Sequence, residues 1–159
     1  MDISSRSRER VASRIERLEE TYESFPVNQT TLAVPARGYE RALERSKKGL
    51  ADVYIEVYND DGEVLLVHSE GSREIPRGQT KSNESLEAGA RREVRESAGV
   101  ECTIEDIHQA TIFGVVDEDD ADRDPVYRLV VVFVGRFEGA VTKGASVEWH
   151  HEMPEHVRP

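Results

Sequence analysis

The sequence predicts an α/β domain carrying a helical N-terminal extension, and three observations point to it. Val53, Ile55 and Val57 alternate with polar or aromatic neighbours, and Asp60-Asp61-Gly62 then turns the chain into Val64-Leu65-Leu66-Val67, which is the pattern of a β-hairpin. A helical segment runs from Glu84 to Ala98 and stops at Gly99. Leu129-Val130-Val131-Val132-Phe133-Val134 is apolar enough for a strand buried on both faces. Residues 51–159 thus read as the main domain and residues 1–50 as an extension of two helices and a short strand.

The elements follow in order. Residues 4–20 are rich in Arg and Glu but place Val11, Ile15, Leu18 and Tyr22 at spacings of three to four, the single apolar stripe of a helix that docks on something else. Thr31-Leu32-Ala33-Val34 reads as a short strand stopped by Pro35, and a second helix from about Arg37 to Lys47 is closed by Gly49. These first 50 residues hold no concentration of chemical groups and are expected to serve packing, a homodimer contact or a lid. Beyond the hairpin and the 84–98 helix, strands are expected near 100–116 and at 126–137, flanking an acidic loop at 117–124. A last strand near Val147–Trp149 leads into a tail holding Met153-Pro154.

Composition narrows the function classes. A chain of 159 residues fits one domain with a sizeable core. Apolar residues make up only 37 %, but they are concentrated in runs, against wholesale disorder. No apolar stretch approaches the ~18 residues of a transmembrane helix, and MDISSRSRER lacks the apolar core of a signal peptide. A single cysteine, Cys102, excludes an intrachain disulfide and fits a reducing cytoplasm. With 32 acidic against 21 basic residues the net charge is −11, which repels nucleic acid and anionic membranes as non-specific partners. The basic residues are 17 Arg and four Lys, and an acid-rich, Lys-poor chain suggests adaptation to high salt, as in a halophilic archaeon.

The chemistry concentrates between Gly78 and Val100, GQTKSNESLEAGARREVRESAGV. On a helix Leu86, Ala90 and Val94 form one stripe, facing the sheet, while Arg91 and Arg95 lie in solvent. Glu93 and Glu96 sit together along the edge of the buried stripe. Two partly buried carboxylates repel each other and lose hydration, so they need a cation. Arginine can supply it, leaving a salt-bridged helix with an Arg92–Glu96 pair one turn apart. So can a hard divalent metal, which takes oxygen ligands and is held by one or two carboxylates plus substrate phosphates.

The segment resembles the signature of the Nudix hydrolase family, G-x5-E-x7-R-E-U-x-E-E-x-G-U, where U is a bulky aliphatic residue. Gly78, Glu84, Arg92-Glu93-Val94, Glu96, Gly99 and Val100 fall at the right spacing, so that eight of nine specified positions match. Gly62-Glu63-Val64-Leu65-Leu66-Val67, Glu74-Ile75-Pro76-Arg77-Gly78 and Val147-Glu148-Trp149 with Met153-Pro154 are similar to the family's flanking segments, so the resemblance covers roughly 51–156. It implies an α/β/α sandwich around a mixed sheet, and hydrolysis of a nucleoside diphosphate linked to another moiety. It implies too that Glu93 and Glu96 bind Mg²⁺ or Mn²⁺, with the Gly78 carbonyl as a further ligand. Arg92 would orient the carboxylates, and Glu84 and Gly99 would support the loop–helix–loop. A bound metal fits the chemistry, since a pyrophosphate must have its charge neutralised before water attacks phosphorus.

Two positions depart from the pattern. Ser97 stands where the family has a second Glu, which removes one carboxylate and opens the alternative of a nucleotide-binding or regulatory module without turnover. Arg77 replaces a glycine; it either reaches a substrate phosphate or is a solvent-exposed loop residue. The Pro-Arg-Gly it forms is similar to the Pro-Lys-Gly of dinucleoside polyphosphate hydrolases. Glu118, in the acidic loop, is the candidate for an extra acid from outside the signature, against plain solvation. An anionic substrate needs a local cationic patch in so acidic a chain, and Arg77, Arg73, Lys81 and the metal are the candidates.

Other residues are expected to be structural. His150-His151 adjoin Trp149 but point to opposite faces of a strand, which disfavours joint metal ligation. His68 reads as a strand-end residue, Cys102 as a small core or half-buried side chain, and Trp149 and Tyr127 as core aromatics rather than base-stacking platforms. A third option, a protein-interaction module centred on residues 1–50, has least in its favour.

Overall fold

A computed structural model describes residues 2–69, 71–140 and 147–151. The chain forms two compact units, one built from residues up to 52, 81–83 and 108–131, the other from 53–80, 84–107 and 132 onward. The fold is mixed α/β, with a mixed sheet and N-terminal helices. No helix among the described residues is long and apolar enough to cross a membrane.

In the first unit, helix α1 (Ile3–Thr21) starts at Asp2, whose side chain accepts from the Ser5 amide at 2.8 Å and so satisfies one free N–H of the first turn. The predicted stripe is buried at Val11, Ile15 and Leu18, and Ser7 joins it, its hydroxyl accepting from the Tyr127 amide at 2.9 Å. The following strand is longer than expected. β1 (Val27–Val34) pairs in parallel with the end of β6 (Val100–Asp117), from Val27↔Ala110 to Val34↔Asp117. Its first residues carry no alternating apolar pattern because nearly the whole strand is exposed; backbone pairing alone defines it. Helix α2 (Ala36–Lys47) buries Tyr39 and Ala42 against Val115 and Val126, the latter on β7 (Val126–Ala140). Gly49 follows with φ of 71°, the left-handed conformation that ends the helix region.

In the second unit, β2 (Ala51–Tyr58) and β3 (Val64–Ser69) form the expected hairpin, with Tyr58 opposite Val64. Asn59 builds the turn: its side-chain oxygen accepts from the amides of Asp61 and Glu63, both at 3.0 Å, and Gly62 adopts φ of 76°. Val53, Ile55 and Val57 are fully buried. β3 also pairs antiparallel with β4 (Ser72–Glu74) and with β8 (Val147–His150), where Leu65 faces Trp149. β5 (Arg77–Thr80) pairs with β2. Strands β4 and β5 have three and four residues, too few for a hydrophobic period to announce them. The tail at Met153-Pro154 lies outside the described residues.

Helix α3 (Leu86–Ala98) begins two residues later than the sequence suggests. Ser85 is its cap, accepting from the Ala88 amide at 3.1 Å, and so leaves Glu84 in the loop ahead of it. Leu86, Ala90 and Val94 form the buried stripe as expected, and Gly99 closes the helix with φ of 68°. α3 packs against β5 so closely that a side chain at Gly89 would meet Thr80 Cγ2 at 2.4 Å.

Candidate active site at the β5–α3 loop

Arg92 is the hub of the loop–helix junction. Its side chain runs back toward the helix N-terminus, as long helical side chains do, and reaches Glu84 eight residues earlier in the chain. Nη2 donates to Glu84 Oε1 at 2.8 Å and Nε to Glu84 Oε2 at 3.3 Å, a two-pronged clasp of the carboxylate. Nη2 also donates to the Gln79 carbonyl at 2.9 Å, which ties β5 to α3. Nη1 donates to Glu93 at 2.9 Å and to Glu96 at 3.3 Å. The hydrogen bond to Glu84 holds the guanidinium above its usual pKa, partial burial opposes this, and the bond to Glu93 adds to the rise. Three carboxylates thus converge on one guanidinium.

The Arg92–Glu96 pair of the salt-bridged helix exists, inside a larger network that also takes Glu84 and Glu93. Glu93 is half-buried, its side chain 17 % exposed, whereas Glu96 is 63 % exposed and open to solvent. The Glu93 carboxylate lies over Gly78. A Cβ at residue 78 would come within 2.1 Å of Glu93 Cδ, so only glycine leaves room for it.

This donor set suits a hard divalent ion. Glu93 Oε1 and Glu96 Oε2 are taken by Arg92, and each carboxylate has a second oxygen. Two carboxylates and a backbone carbonyl are the kind of partial oxygen shell that Mg²⁺ completes with water and phosphate. No group of three or more His, Cys, Asp or Glu among the described residues could hold a metal by itself. Ser97 does not compensate: its hydroxyl donates to the Glu93 carbonyl at 2.7 Å, one turn back along the helix.

The remaining candidates fall into place individually. Arg77 is half exposed and ion-paired with Glu74 at 3.3 Å. Arg73 is bound to Glu148 at 3.2 Å, and that carboxylate also takes His68 at 2.8 Å and His150 at 2.6 Å. His150 is thus engaged in an ion cluster, and His151 is exposed with Glu63 at 3.7 Å. Lys81 is exposed. Glu118 is exposed too, and its amide donates to the Val34 carbonyl at 2.8 Å. Arg91 and Arg95 are exposed as expected, and Arg95 pairs with Glu101 at 2.5 Å. Cys102 is buried, which raises its thiol pKa to about 11. Trp149 packs edge-on against Phe137, with ring centres 5.2 Å apart. Tyr127 sits under the Arg8 guanidinium, its hydroxyl accepting from Arg8 at 2.6 Å.

One expectation is overturned. The first 50 residues do hold a concentration of chemical groups: Arg6, Arg10, Arg14 and Arg17 line a single cavity. Their spacing of four, four and three residues was the available signal, masked by the many other charges of the segment.

The loop and helix thus gather three glutamates on one arginine, with the Glu93 carboxylate in the space beside Gly78. The NUDIX domain family model matches residues 47–155, more than half of the chain, and the protein belongs to the Nudix hydrolase family, whose members act on phosphoanhydride bonds. Solved structures of similar fold include a UDP-X diphosphatase (18 % identity, TM-score 0.47, 64 % of this chain and 50 % of that one). Others are an ADP-ribose pyrophosphatase from Streptococcus suis (15 %, 0.45, 66 % and 77 %) and the Ap4A hydrolase of C. elegans (18 %, 0.43, 64 % and 79 %). The chain thus spans half the length of the first of these. No curated protein shows significant similarity to the sequence.

Proposed function

We propose that the protein is a divalent-metal-dependent pyrophosphohydrolase of nucleoside diphosphate derivatives, with residues 51–159 as the hydrolase domain and residues 1–50 as an extension. The observation that carries this reading is the Glu84–Arg92–Glu93–Glu96 network closed over Gly78. Glu93, Glu96 and the Gly78 carbonyl would hold Mg²⁺ or Mn²⁺, which when bound neutralises phosphate charge and polarises the attacking water. Arg92 positions both carboxylates from one side, and Glu84 holds Arg92 in turn. The rigid carboxylate is Glu93, fixed by Arg92 and the Gly78 surface; the exposed Glu96 is free to swing toward an arriving substrate and to accept a proton from water. Glu118 remains a candidate external acid, and Arg77 would contact substrate phosphate on release from Glu74. The single buried thiol fits a cytoplasmic setting.

The test is a panel of nucleoside diphosphate derivatives with Mg²⁺ or Mn²⁺, in dilute buffer and in molar KCl, with released nucleotide as the readout. Glu93→Gln should abolish turnover while the helix stays intact; full activity in that variant would overturn the site. One observation favours a second reading, a nucleotide-binding module without turnover: the Ser97 hydroxyl is spent on the helix backbone. If the wild type turns over nothing on the panel and Ser97→Glu creates activity, that second reading holds.

A further inference from the structure

We propose that the arginine-lined groove along α1 is a binding site for a phosphate chain, that of a nucleotide or of free polyphosphate, built from residues other than the Glu84–Arg92–Glu93–Glu96 cluster. Arg6, Arg10, Arg14 and Arg17 fall within an arc of roughly 80° on the helix, beside the buried stripe. They line a cavity of about 460 Å³, in the range of small-ligand sites, and Glu9 is the one carboxylate among its described lining residues.

Like charges one turn apart destabilise a helix by about 0.2–0.5 kcal/mol per pair, and this stripe has three such pairs. Among the described residues no ion pair to a carboxylate is seen at these four arginines. Where Arg92, Arg95 and Arg123 sit on carboxylates, Arg10 donates to the Ser46 carbonyl and Arg14 to the Gly49 carbonyl at 3.0 Å, neutral acceptors that orient a guanidinium without discharging it. Burial first, and then the neighbouring charges of Arg10, Arg128 and Arg17, push the Arg14 pKa below its usual value. Gly49 lets Ser82 pack closely at one end of the groove: a Cβ there would meet the Cβ of Ser82 at 2.8 Å. Guanidinium forks match phosphate oxygens two at a time, and a row of four suits a chain of phosphates better than a single carboxylate. In a protein of net charge −11 such a patch is what lets a polyanion bind at all.

The experiment is calorimetric titration of the full chain with inorganic tripolyphosphate, and separately with ATP, in EDTA at low salt, so that neither metal nor hydrolysis enters the result. Arg6 and Arg17 are exposed, so Arg6→Glu/Arg17→Glu preserves the fold, checked by circular dichroism. The control is Arg37→Glu/Arg91→Glu, an equal change of charge at exposed positions outside the groove. Saturable binding that weakens at least tenfold in the groove variant, and much less in the control, supports the site. Tighter binding of ATP than of tripolyphosphate then assigns it to nucleotides, and equal or weaker binding to free polyphosphate. Absence of saturable binding, or an equal loss in both variants, overturns it.

Discussion

The Glu93 carboxylate fills the space that a side chain at Gly78 would occupy, with its Cδ 2.1 Å from the position of the missing Cβ. The two residues lie fifteen apart in sequence, one on β5 and one on α3, and their contact joins that strand to the acidic face of the helix. Gly78→Ala therefore collides with the movable end of a glutamate rather than with backbone. The fold should survive with a small change in Tm, while kcat falls roughly tenfold or more because Glu93 is displaced by about an ångström. Parallel thermal melts and turnover measurements separate the two effects; unchanged kcat would mean that Glu93 has no fixed role.

Arg92 distributes one charge over three carboxylates, so its geometry counts as much as its sign. Arg92→Lys keeps the cation but cannot clasp Glu84 while reaching Glu93, Glu96 and the Gln79 carbonyl together. A drop in kcat on the order of tenfold to a hundredfold is expected, with KM moving less. Arg92→Ala removes the guanidinium that clasps Glu84 and Glu93 and should cost about 1–3 kcal/mol of stability in urea titrations. Equal kcat in the Lys variant would reduce Arg92 to a simple counter-charge.

How much of this was legible beforehand divides along physical lines. Helix α3, its buried stripe Leu86–Ala90–Val94 and the hairpin at Asp60-Asp61-Gly62 follow from local periodicity and turn chemistry, and the structure has them. The pairing of Glu84 with Arg92 was not legible: the resemblance marked both positions, but no local rule links residues eight apart across a helix cap. Strand β1 was legible only in its last four residues, because its polar start is ordered by β6 and by no pattern of its own. The arginine stripe of α1 was readable from its spacing, but only the structure shows that backbone carbonyls, not carboxylates, hold Arg10 and Arg14.

Cys102 is buried next to Gly135, whose Cβ position lies 3.5 Å from its sulfur, and its thiol pKa is raised to about 11 chiefly by desolvation. At pH 8 the thiolate fraction is then on the order of one in a thousand, against a quarter or so for an ordinary cysteine. Iodoacetamide should alkylate the native protein at least a hundredfold more slowly than the urea-unfolded chain, as followed by mass spectrometry. Comparable rates would show that this thiol is not sequestered.

Glu148 is the anionic centre of an exposed cluster on β3, β4 and β8, and hydrogen bonds from His150 first, then Arg73 and His68, lower its pKa from 4.5 to about 2. A depressed carboxylate stabilises the folded state above its unfolded pKa, and that contribution is lost as pH falls through the folded value. The pairing of β8 with β3 should therefore hold at pH 5 and loosen between about pH 4.5 and 2. Trp149, the only tryptophan, adjoins Glu148 on β8 and reports the change by fluorescence. In wild type the emission shift should have its midpoint nearer 2 than 4.5, with far-UV circular dichroism marking any global unfolding. Glu148→Gln should display the acid-form spectrum already at pH 6 and no transition in that window. A wild-type midpoint at the ordinary 4.5 would mean that His150 and Arg73 do not hold this carboxylate in solution.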